Sequence, residues 1–493
     1  ISYYQMNTQH WSAHFDSDWF NIYNILLVNS GYPQDFYDHP AFTLFFLNSL
    51  VLKIYDFLDP NILFNIDTIH EKQNLDIYFE KIFYIARIIN ALVHCGCVFI
   101  LNLILNKFSS DKFVNYLLIL VLVCSNFFLE NLFQIRPEIY SIFFFLLSFL
   151  LILKSLDGNY RFVLIFFSGF FIGLAYISKI QIIFFIFFLF FIFPYLSELI
   201  GRYNLRFEIN FFENNKKKYN YFLAFYFLIS LTYVGIEYFI IYNHPRYLGH
   251  QKIDLYGFLL FNLFYFIYLK ILSNKNKTIL NLNILSSITL FFGFITTVLF
   301  LISLNYLEII RVNHNIYFKF LNPYYFLSNR TFDGSFFEIL ILFFNPKILF
   351  ENIFFCFSII LLIPFANKIF KLRFFYLIIS FGLLVLYIFS NNLRYFYLYE
   401  IYTFAVFAII FALTKKKNLI KFRFLLIMTL LLLTNYNTFI KNNFVDYLQR
   451  TSMFKECKTD SWPLLKLYNG FDNWIPRTKK FSEKFYYKIC LDT

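Results

Sequence analysis

Runs of about 20 predominantly apolar residues recur along this chain between residues 81 and 439. A bilayer with a hydrocarbon core roughly 30 Å thick accepts one such run per helix, whereas a soluble domain would need an interior for each of them. Hydrophobic residues make up 59% of the 493 residues and charged residues only 15%. The sequence therefore predicts an all-α polytopic membrane protein.

Windows of about 19 residues predict about twelve transmembrane helices. These are Lys81–Leu105, Phe113–Asn131, Pro137–Lys154, Arg161–Ile177, Lys179–Ser197, Tyr221–Tyr242, Leu255–Leu272, Leu285–Tyr306, Ile348–Asn367, Phe374–Asn391, Tyr395–Leu413 and Ile420–Phe439. We divide the chain into a first extracytoplasmic loop (residues 1–80), a multi-helix transmembrane domain (residues 81–439) and a small extracytoplasmic C-terminal segment (residues 440–493). Because a polar outer loop normally needs an upstream helix to place it, we expect one further transmembrane helix before Ile1.

Basic residues lie mainly in short loops between the apolar runs, which is the pattern of the positive-inside rule. This pattern accounts for the net charge of +13 without a nucleic-acid partner. Pro40–Leu58 is apolar enough to span, and if it did, every later loop would change side. The loops that hold Lys107 and Lys154, and the later basic loops, lie on the inner side only if Pro40–Leu58 does not span. We interpret it as an interfacial helix in the outer loop, with Asp38 and His39 supplying a cap and Pro40 in the first turn.

The polar head of the chain carries acidic residues next to apolar segments, in His14-Phe15-Asp16-Ser17-Asp18-Trp19 and around Asp38-His39. A carboxylate of Asp16 or Asp18 can act as a general base, bind a divalent cation such as Mg²⁺ or Mn²⁺, or stay solvated. The sequence has no glycine-rich phosphate loop and no zinc-protease motif. A donor that resides in the membrane is therefore more natural than a cytosolic nucleotide.

Other charged residues fall at the predicted outer ends of the spans. Glu138 follows Pro137 at a helix start, where the alternative to a functional role is a salt bridge at the helix terminus. Lys179 lies between two strongly apolar runs, where a cation must reach the interface or pair with an anion such as a lipid phosphate. Arg394 occupies a similar position, and for both cations the alternative is interfacial anchoring.

Several of these features occur together in the order found in one family. They are Asp18 upstream of Gly31, Asp38-His39-Pro40, Ala86-Arg87-Ile88, Arg136-Pro137-Glu138 and Gly173 followed by Ser178-Lys179. In this combination the chain resembles bacterial membrane glycosyltransferases of the GT-C superfamily, in particular the branch of protein O-mannosyltransferases and the aminoarabinose transferase of lipid A. The resemblance covers roughly the first 200 residues, and later only the helix layout and Arg394-Tyr395.

The resemblance implies inverting transfer of a sugar from a polyprenyl-phosphate carrier to a lipid, glycan or protein acceptor at the extracytoplasmic face of the cell (inner) membrane. By the same resemblance, Asp18 is the base, with Asp16 as its alternative, and Glu138 assists it. The donor phosphate would meet Lys179 and Arg394, and the further substrate-binding residues would be His39, Arg136, Gln181 and Tyr395. The family's common pair is Asp-Glu, whereas Ser17 separates two aspartates here, so a divalent cation on Asp16 and Asp18 stays open.

Two other classes of membrane protein remain as alternatives. A transporter or flippase would carry ionisable residues near the middle of its spans and repeat its topology, and of mid-span charges Glu237 is the clearest. A polysaccharide polymerase or ligase would concentrate its arginines in one large later loop. Arg311 and Arg330 give that alternative modest support.

Overall fold

A computed structural model of the chain describes residues 16–34, 41–59, 63–67, 75–108, 112–123, 128, 132, 135–155, 161–179, 182 and 277–311. The regular structure in these ranges is helical, without a strand. The helices are α1 (Asp16–Asn29), α2 (Phe42–Leu58), α3 (Leu75–Phe108), α4 (Lys112–Val123), α5 (Pro137–Ser155), α6 (Arg161–Ser178) and α7 (Lys277–Tyr306).

Four segments within these helices are long and apolar enough to cross a membrane: Lys81–Lys107, Pro137–Ser155, Arg161–Ser178 and Leu285–Tyr306. Each coincides with a predicted span to within two residues, which confirms those four predictions as apolar helices of span length. They indicate a membrane protein. The described part of α4 has 12 residues and covers only the start of the predicted span Phe113–Asn131. The other predicted spans lie outside the described residues, apart from Lys179 and Ile182 near the start of one.

Helix α1 occupies a stretch that the sequence analysis treated as loop. Its apolar residues from Ile22 to Val28 are buried, so it is a packed part of the fold. The helix ends in a Schellman-type turn, in which the Tyr32 N–H donates to the Leu27 carbonyl oxygen at 2.9 Å and Gly31 has φ of 80°. A glycine suits this left-handed position because it has no Cβ to clash.

Helix α2 begins later than its sequence predicts. Its first helical residue is Phe42, and the N-cap residue is Ala41, with φ of 46° and no side-chain cap. The prediction that Pro40 lies in the first turn is therefore wrong. A tertiary contact sets the start instead, because the Ala41 N–H donates to the carbonyl oxygen of Ser178 at the end of α6, at 3.1 Å. Asp38 and His39, the predicted cap, lie outside the described residues.

Helices α5 and α6 pack antiparallel. The Ser141 hydroxyl donates to the Ala175 carbonyl oxygen at 2.8 Å, and further along both helices the Ser148 and Ser168 hydroxyl oxygens are 2.7 Å apart. Small polar side chains allow close approach and bond across the interface, as is common between membrane helices. The start of α5 and the end of α6 thus lie side by side.

Helices α6 and α7 run parallel and in closer contact. A Cβ added at Gly169 would overlap the backbone carbonyl oxygen of Leu290, and one added at Gly293 would overlap that of Phe166. The Thr297 hydroxyl donates to the Phe170 carbonyl oxygen at 3.0 Å. Phe166 lies against Gly293, and later in both helices Gly173 lies against Thr297, so the two helices run parallel. The C-terminal ends of α6 and α7 therefore lie at the same end of the bundle as the start of α5.

Candidate functional site

The candidate site lies where α1, α3, α5 and α6 meet at this end of the bundle, and Asp18 is its most buried acid. Asp18 lies in the first turn of α1 and has no exposed surface. One carboxylate oxygen, Oδ1, accepts a hydrogen bond from the Ile135 N–H at 3.0 Å. The other, Oδ2, is buried and has no hydrogen-bond partner within the described structure. Asp18 therefore has one oxygen fixed and one available.

Burial raises the pKa of Asp18 from 3.8 to about 6. The positive charges of Arg87 and Arg136 and the hydrogen bond from Ile135 act in the opposite direction, but they do not outweigh the loss of hydration. The carboxylate is consequently ionised at neutral pH while holding a proton more readily than an exposed aspartate. A pKa close to the working pH is the property that a general base needs.

Asn21 binds the other backbone group of Ile135. Its side-chain amide donates to the Ile135 carbonyl oxygen at 2.6 Å, while Asp18 accepts from the Ile135 N–H. Asp18 and Asn21 are three residues apart and share one face of α1. Together they fix the segment that leads into α5, which carries Arg136 and Glu138. Asn21 could not be predicted from the sequence, because its i, i+3 relation to Asp18 becomes visible only once residues 16–29 are known to form a helix.

Glu138 and Lys179 form a buried ion pair across two helices. Glu138 lies in the first turn of α5 and Lys179 directly follows α6, with Lys179 Nζ 2.7 Å from Glu138 Oε1. Both side chains are buried, and Glu138 Oε2 has no hydrogen-bond partner among the described residues. Within the described structure, the anion beside the Lys179 ammonium is the carboxylate of Glu138.

Arg136 connects the two acids. It precedes Pro137 at the start of α5, and its positive charge acts on both Asp18 and Glu138. Arg87 of α3 also acts on Asp18, and its guanidinium carbon lies 5.5 Å from the centre of the Phe83 ring. These side chains thus form one mixed-charge cluster with one formal positive charge in excess. Its members are Asp18, Glu138, Arg87, Arg136 and Lys179.

The structure brings four of the predicted site residues together: Asp18, Glu138, Lys179 and Arg136. Asp16 is the first residue of α1, and its side chain lies outside the described part. No group of three or more metal-ligating side chains occurs among the described residues. The predicted substrate-binding residues His39 and Gln181 and the later pair Arg394 and Tyr395 lie outside them.

The fold and this cluster define a helical membrane protein with buried charges at one end of its bundle. No protein-family model, curated protein or solved structure that we compared with the chain matches it.

Proposed function

We propose that the protein is a multi-pass membrane glycosyltransferase that moves a sugar from a polyprenyl-phosphate-linked donor to an acceptor at the extracytoplasmic face of the cell membrane. One observation carries the proposal: Asp18 is buried, has one carboxylate oxygen without a partner in the described structure, and belongs to a charged cluster with one positive charge in excess. The free oxygen suits an acceptor hydroxyl, and the cations suit a phosphate. The resemblance of the first 200 or so residues to GT-C enzymes supports the same reading.

In the proposed reaction, the acceptor oxygen attacks the anomeric carbon from the face opposite the phosphate. The new carbon–oxygen bond forms while the bond from the anomeric carbon to the phosphate oxygen breaks, and its electron pair leaves with the phosphate. Asp18 Oδ2 takes the proton of the acceptor hydroxyl. Arg136 and Lys179 stabilise the charge that develops on the leaving phosphate, and preorganised cations in a low-dielectric site are effective in this role.

Lys179 has two partners in this scheme. Glu138 Oε1 lies 2.7 Å from its ammonium nitrogen, and an ammonium has further protons with which to bind a phosphate oxygen. Glu138 thereby fixes the cation and keeps a second oxygen, Oε2, for a hydroxyl of the donor or acceptor. Its role is that of a positioning residue as well as a hydrogen-bond acceptor.

The decisive experiment is the substitution Asp18→Asn, which keeps an oxygen to accept the Ile135 N–H and removes the base. We expect the variant to insert and fold as the wild type does while sugar transfer from a polyprenyl-phosphate donor in native membranes is lost. Asp67→Asn is the matched control, because Asp67 is an exposed acid of the same N-terminal segment and should leave transfer unchanged. Transfer at the wild-type rate by Asp18→Asn would exclude Asp18 as the base.

A second candidate function is proton-coupled transport, favoured by one specific observation. His94 lies at the midpoint of the span-length segment Lys81–Lys107 and is buried on the same face of α3 as Arg87 and Asn90. Buried ionisable residues at this depth are typical of proton pathways. A structural role is equally compatible, since His94 Nδ1 lies 2.8 Å from the Asn90 carbonyl oxygen and the ring packs edge-on against Phe128.

Proteoliposomes that enclose a pH-sensitive dye distinguish the two candidates. A transporter would move protons with its solute, and His94→Gln would reduce that flux. A glycosyltransferase would show no solute-driven proton flux, and His94→Gln would leave sugar transfer largely intact.

A further inference from the structure

The second half of α2 exposes an apolar face that the fold leaves open. Its exposed side chains recur at helical spacing, which places them on one side of the helix. They are Leu50, Ile54, Phe57 and Leu58, and Phe57 has 84% of its surface exposed. A solvated helix face would carry charge, whereas both charged residues of α2 bond to protein. Lys53 donates to the Ile309 carbonyl oxygen at 2.7 Å, and Asp56 accepts from the Asn29 side chain at 3.0 Å.

Helix α7 exposes a second apolar stripe, which ends beside α2. The stripe follows the face away from Gly293 and Thr297, the residues that pack on α6. Its members are Phe292, Ile295, Leu299, Ile302 and Tyr306. This helix contains a span-length apolar segment, so lipid is the medium that such a stripe faces. The stripe continues past the helix end through Leu307 and Ile309, both exposed.

The hydrogen bond from Lys53 to Ile309 joins the two faces into one surface. We propose that this α2–α7 surface inserts into the leaflet at the site end of the bundle, with acyl chains covering Phe57, Leu58 and Tyr306. We assign acyl chains as the occupant because this surface continues the apolar stripe of α7. Exposed apolar patches of this kind mark interaction sites, and an amphipathic helix that lies in the interface buries its apolar face among acyl chains.

The position of α2 gives this surface a consequence for the candidate site. Helix α2 starts against Ser178, where the Ala41 N–H meets the Ser178 carbonyl oxygen and the Thr43 and Ser178 hydroxyls are hydrogen-bonded. Lys179 is the next residue. A leaflet-bound α2 therefore holds the Glu138–Lys179 pair at the membrane surface, the depth at which a lipid headgroup would meet it. The insertion itself does not depend on the chemistry of the site.

Spin labels at single cysteines test the proposal in vesicles of phosphatidylethanolamine and phosphatidylglycerol. In full-length chain whose six native cysteines are replaced, the labelled variants are Phe57→Cys, Leu58→Cys and Tyr306→Cys. Leu299→Cys, on the α7 stripe, is the lipid reference, and Asp67→Cys, at an exposed acid, is the water reference. Collision with dissolved oxygen reports lipid, and collision with a water-soluble nickel chelate reports water.

We expect oxygen to exceed the nickel chelate at positions 57, 58 and 306, as at 299, with the reverse at 67. Nickel dominance at 57 and 58 would show that the surface faces water, and low access for both reagents would show that protein covers it, from this chain or a second copy. Either result would overturn the proposal. If the labelled variants fail to fold, Phe57→Trp in vesicles with brominated acyl chains gives the same answer, since only lipid contact quenches the added fluorescence.

Discussion

At the scale of single residues, the candidate site is defined by charged groups that are buried but only partly satisfied. Asp18 and Glu138 each have one carboxylate oxygen bonded and one buried oxygen without a partner in the described structure. Leaving a buried acceptor unsatisfied costs about 1–3 kcal/mol, and more for a charged group. A fold tolerates such oxygens most readily when a ligand supplies the missing donors, and for this reason we place the proposed chemistry at these atoms.

The raised pKa of Asp18 predicts a pH dependence of stability. In the folded protein the pKa is about 6 and in the unfolded chain about 3.8, so the folded state binds more protons between these values. The free energy of unfolding should therefore fall as pH rises from about 4 to about 6, by up to about 3 kcal/mol. Asp18→Asn should lack this component and be the more stable protein at neutral pH. Thermal unfolding in detergent across this range measures both.

Loss of the proton from Asp18 lowers stability as the pH rises, but it should raise activity. A base must be ionised, so transfer by the wild type should decline as pH falls below about 6. A stability difference between wild type and Asp18→Asn that is independent of pH would contradict the assigned pKa without touching the proposed reaction.

The Glu138–Lys179 pair predicts a double-mutant cycle with strong coupling. Removing one partner leaves the other charge buried, so Lys179→Met or Glu138→Gln should each destabilise the protein, by about 3–5 kcal/mol where a full charge is left unpaired. The double variant, which removes both charges of the pair, should lose much less stability than the sum of the two single losses. Melting temperatures of the four proteins provide the measurement.

Measurements of sugar transfer distinguish a structural role of the Glu138–Lys179 pair from a role of Lys179 in binding the donor phosphate. The double variant should regain stability without sugar transfer if Lys179 binds the donor phosphate. Recovery of both together would reduce the pair to a structural one. Additive losses of stability in the two single variants would instead show that the pair does not form.

At the scale of elements, close contact of α6 and α7 depends on glycines whose neighbours are backbone atoms. At Gly169 and Gly293 an added Cβ would overlap a main-chain carbonyl, which cannot move without shifting the helix. At Gly96 of α3 the nearest atom is the ring of Phe143, a side chain that can rotate. The three glycines lie in span-length helices, so they differ mainly in what surrounds them.

This difference predicts that Gly169→Ala and Gly293→Ala lower the melting temperature markedly, because the helices must separate and lose their packing. Gly96→Ala is the matched control and should have a small effect. Thermal unfolding of the three variants in one detergent tests the contrast. Equal effects at all three positions would show that the contact between α6 and α7 is looser than described.

Sequence patterns found the four span-length helices and the helix α2, but they did not find α1 or the residue at which α2 starts. The four span-length helices are apolar throughout, so their length identifies them without any tertiary information. Helix α1 mixes Asp, Asn and apolar residues, and its buried face becomes visible only once α2 and α3 pack against it. The start of α2 depends on Ser178, more than 130 residues away, which no local capping signal can predict.

For the candidate site as well, the sequence shows which residues take part but not how they pair. Asp18, Glu138, Lys179 and Arg136 could be predicted, because charges beside apolar runs stand out in a sequence. Their pairing could not, since the bond from Lys179 to Glu138 depends on how α5 and α6 lie against each other. Asn21 was missed because a buried asparagine looks like any other polar residue until its partner, Ile135, is known.

At the scale of the whole molecule, helix directions link the site to the predicted topology. Helices α5 and α6 are antiparallel, and α6 and α7 are parallel. The topology that we assigned from the loop charges predicts the same directions. An odd number of predicted spans separates α6 from α7, so these two helices must cross the membrane in the same direction. The assigned topology places the start of α5, the ends of α6 and α7 and the N-terminal segment on the outer side.

The two sides of the membrane can be tested through residues at opposite ends of the bundle. Asp67 is exposed near the end of α2, and Lys154 is exposed in the last turn of α5, a helix of 19 residues that spans about 28 Å from the site end. In a cysteine-free background, Asp67→Cys should react with a membrane-impermeant maleimide in intact cells. Lys154→Cys should react only after the membrane is permeabilised, because the positive-inside rule keeps its loop in the cytoplasm.

Arg311→Cys adds an independent point on the outer side, since Arg311 is exposed just beyond α7. Its reaction in intact cells would place the C-terminal ends of α6 and α7, and with them the Glu138–Lys179 pair, on the extracytoplasmic face. Labelling of Lys154→Cys but not of Asp67→Cys in intact cells would invert the topology. A donor presented from outside would then be unable to reach Asp18, so that single result would remove the proposed reaction while leaving the fold unchanged.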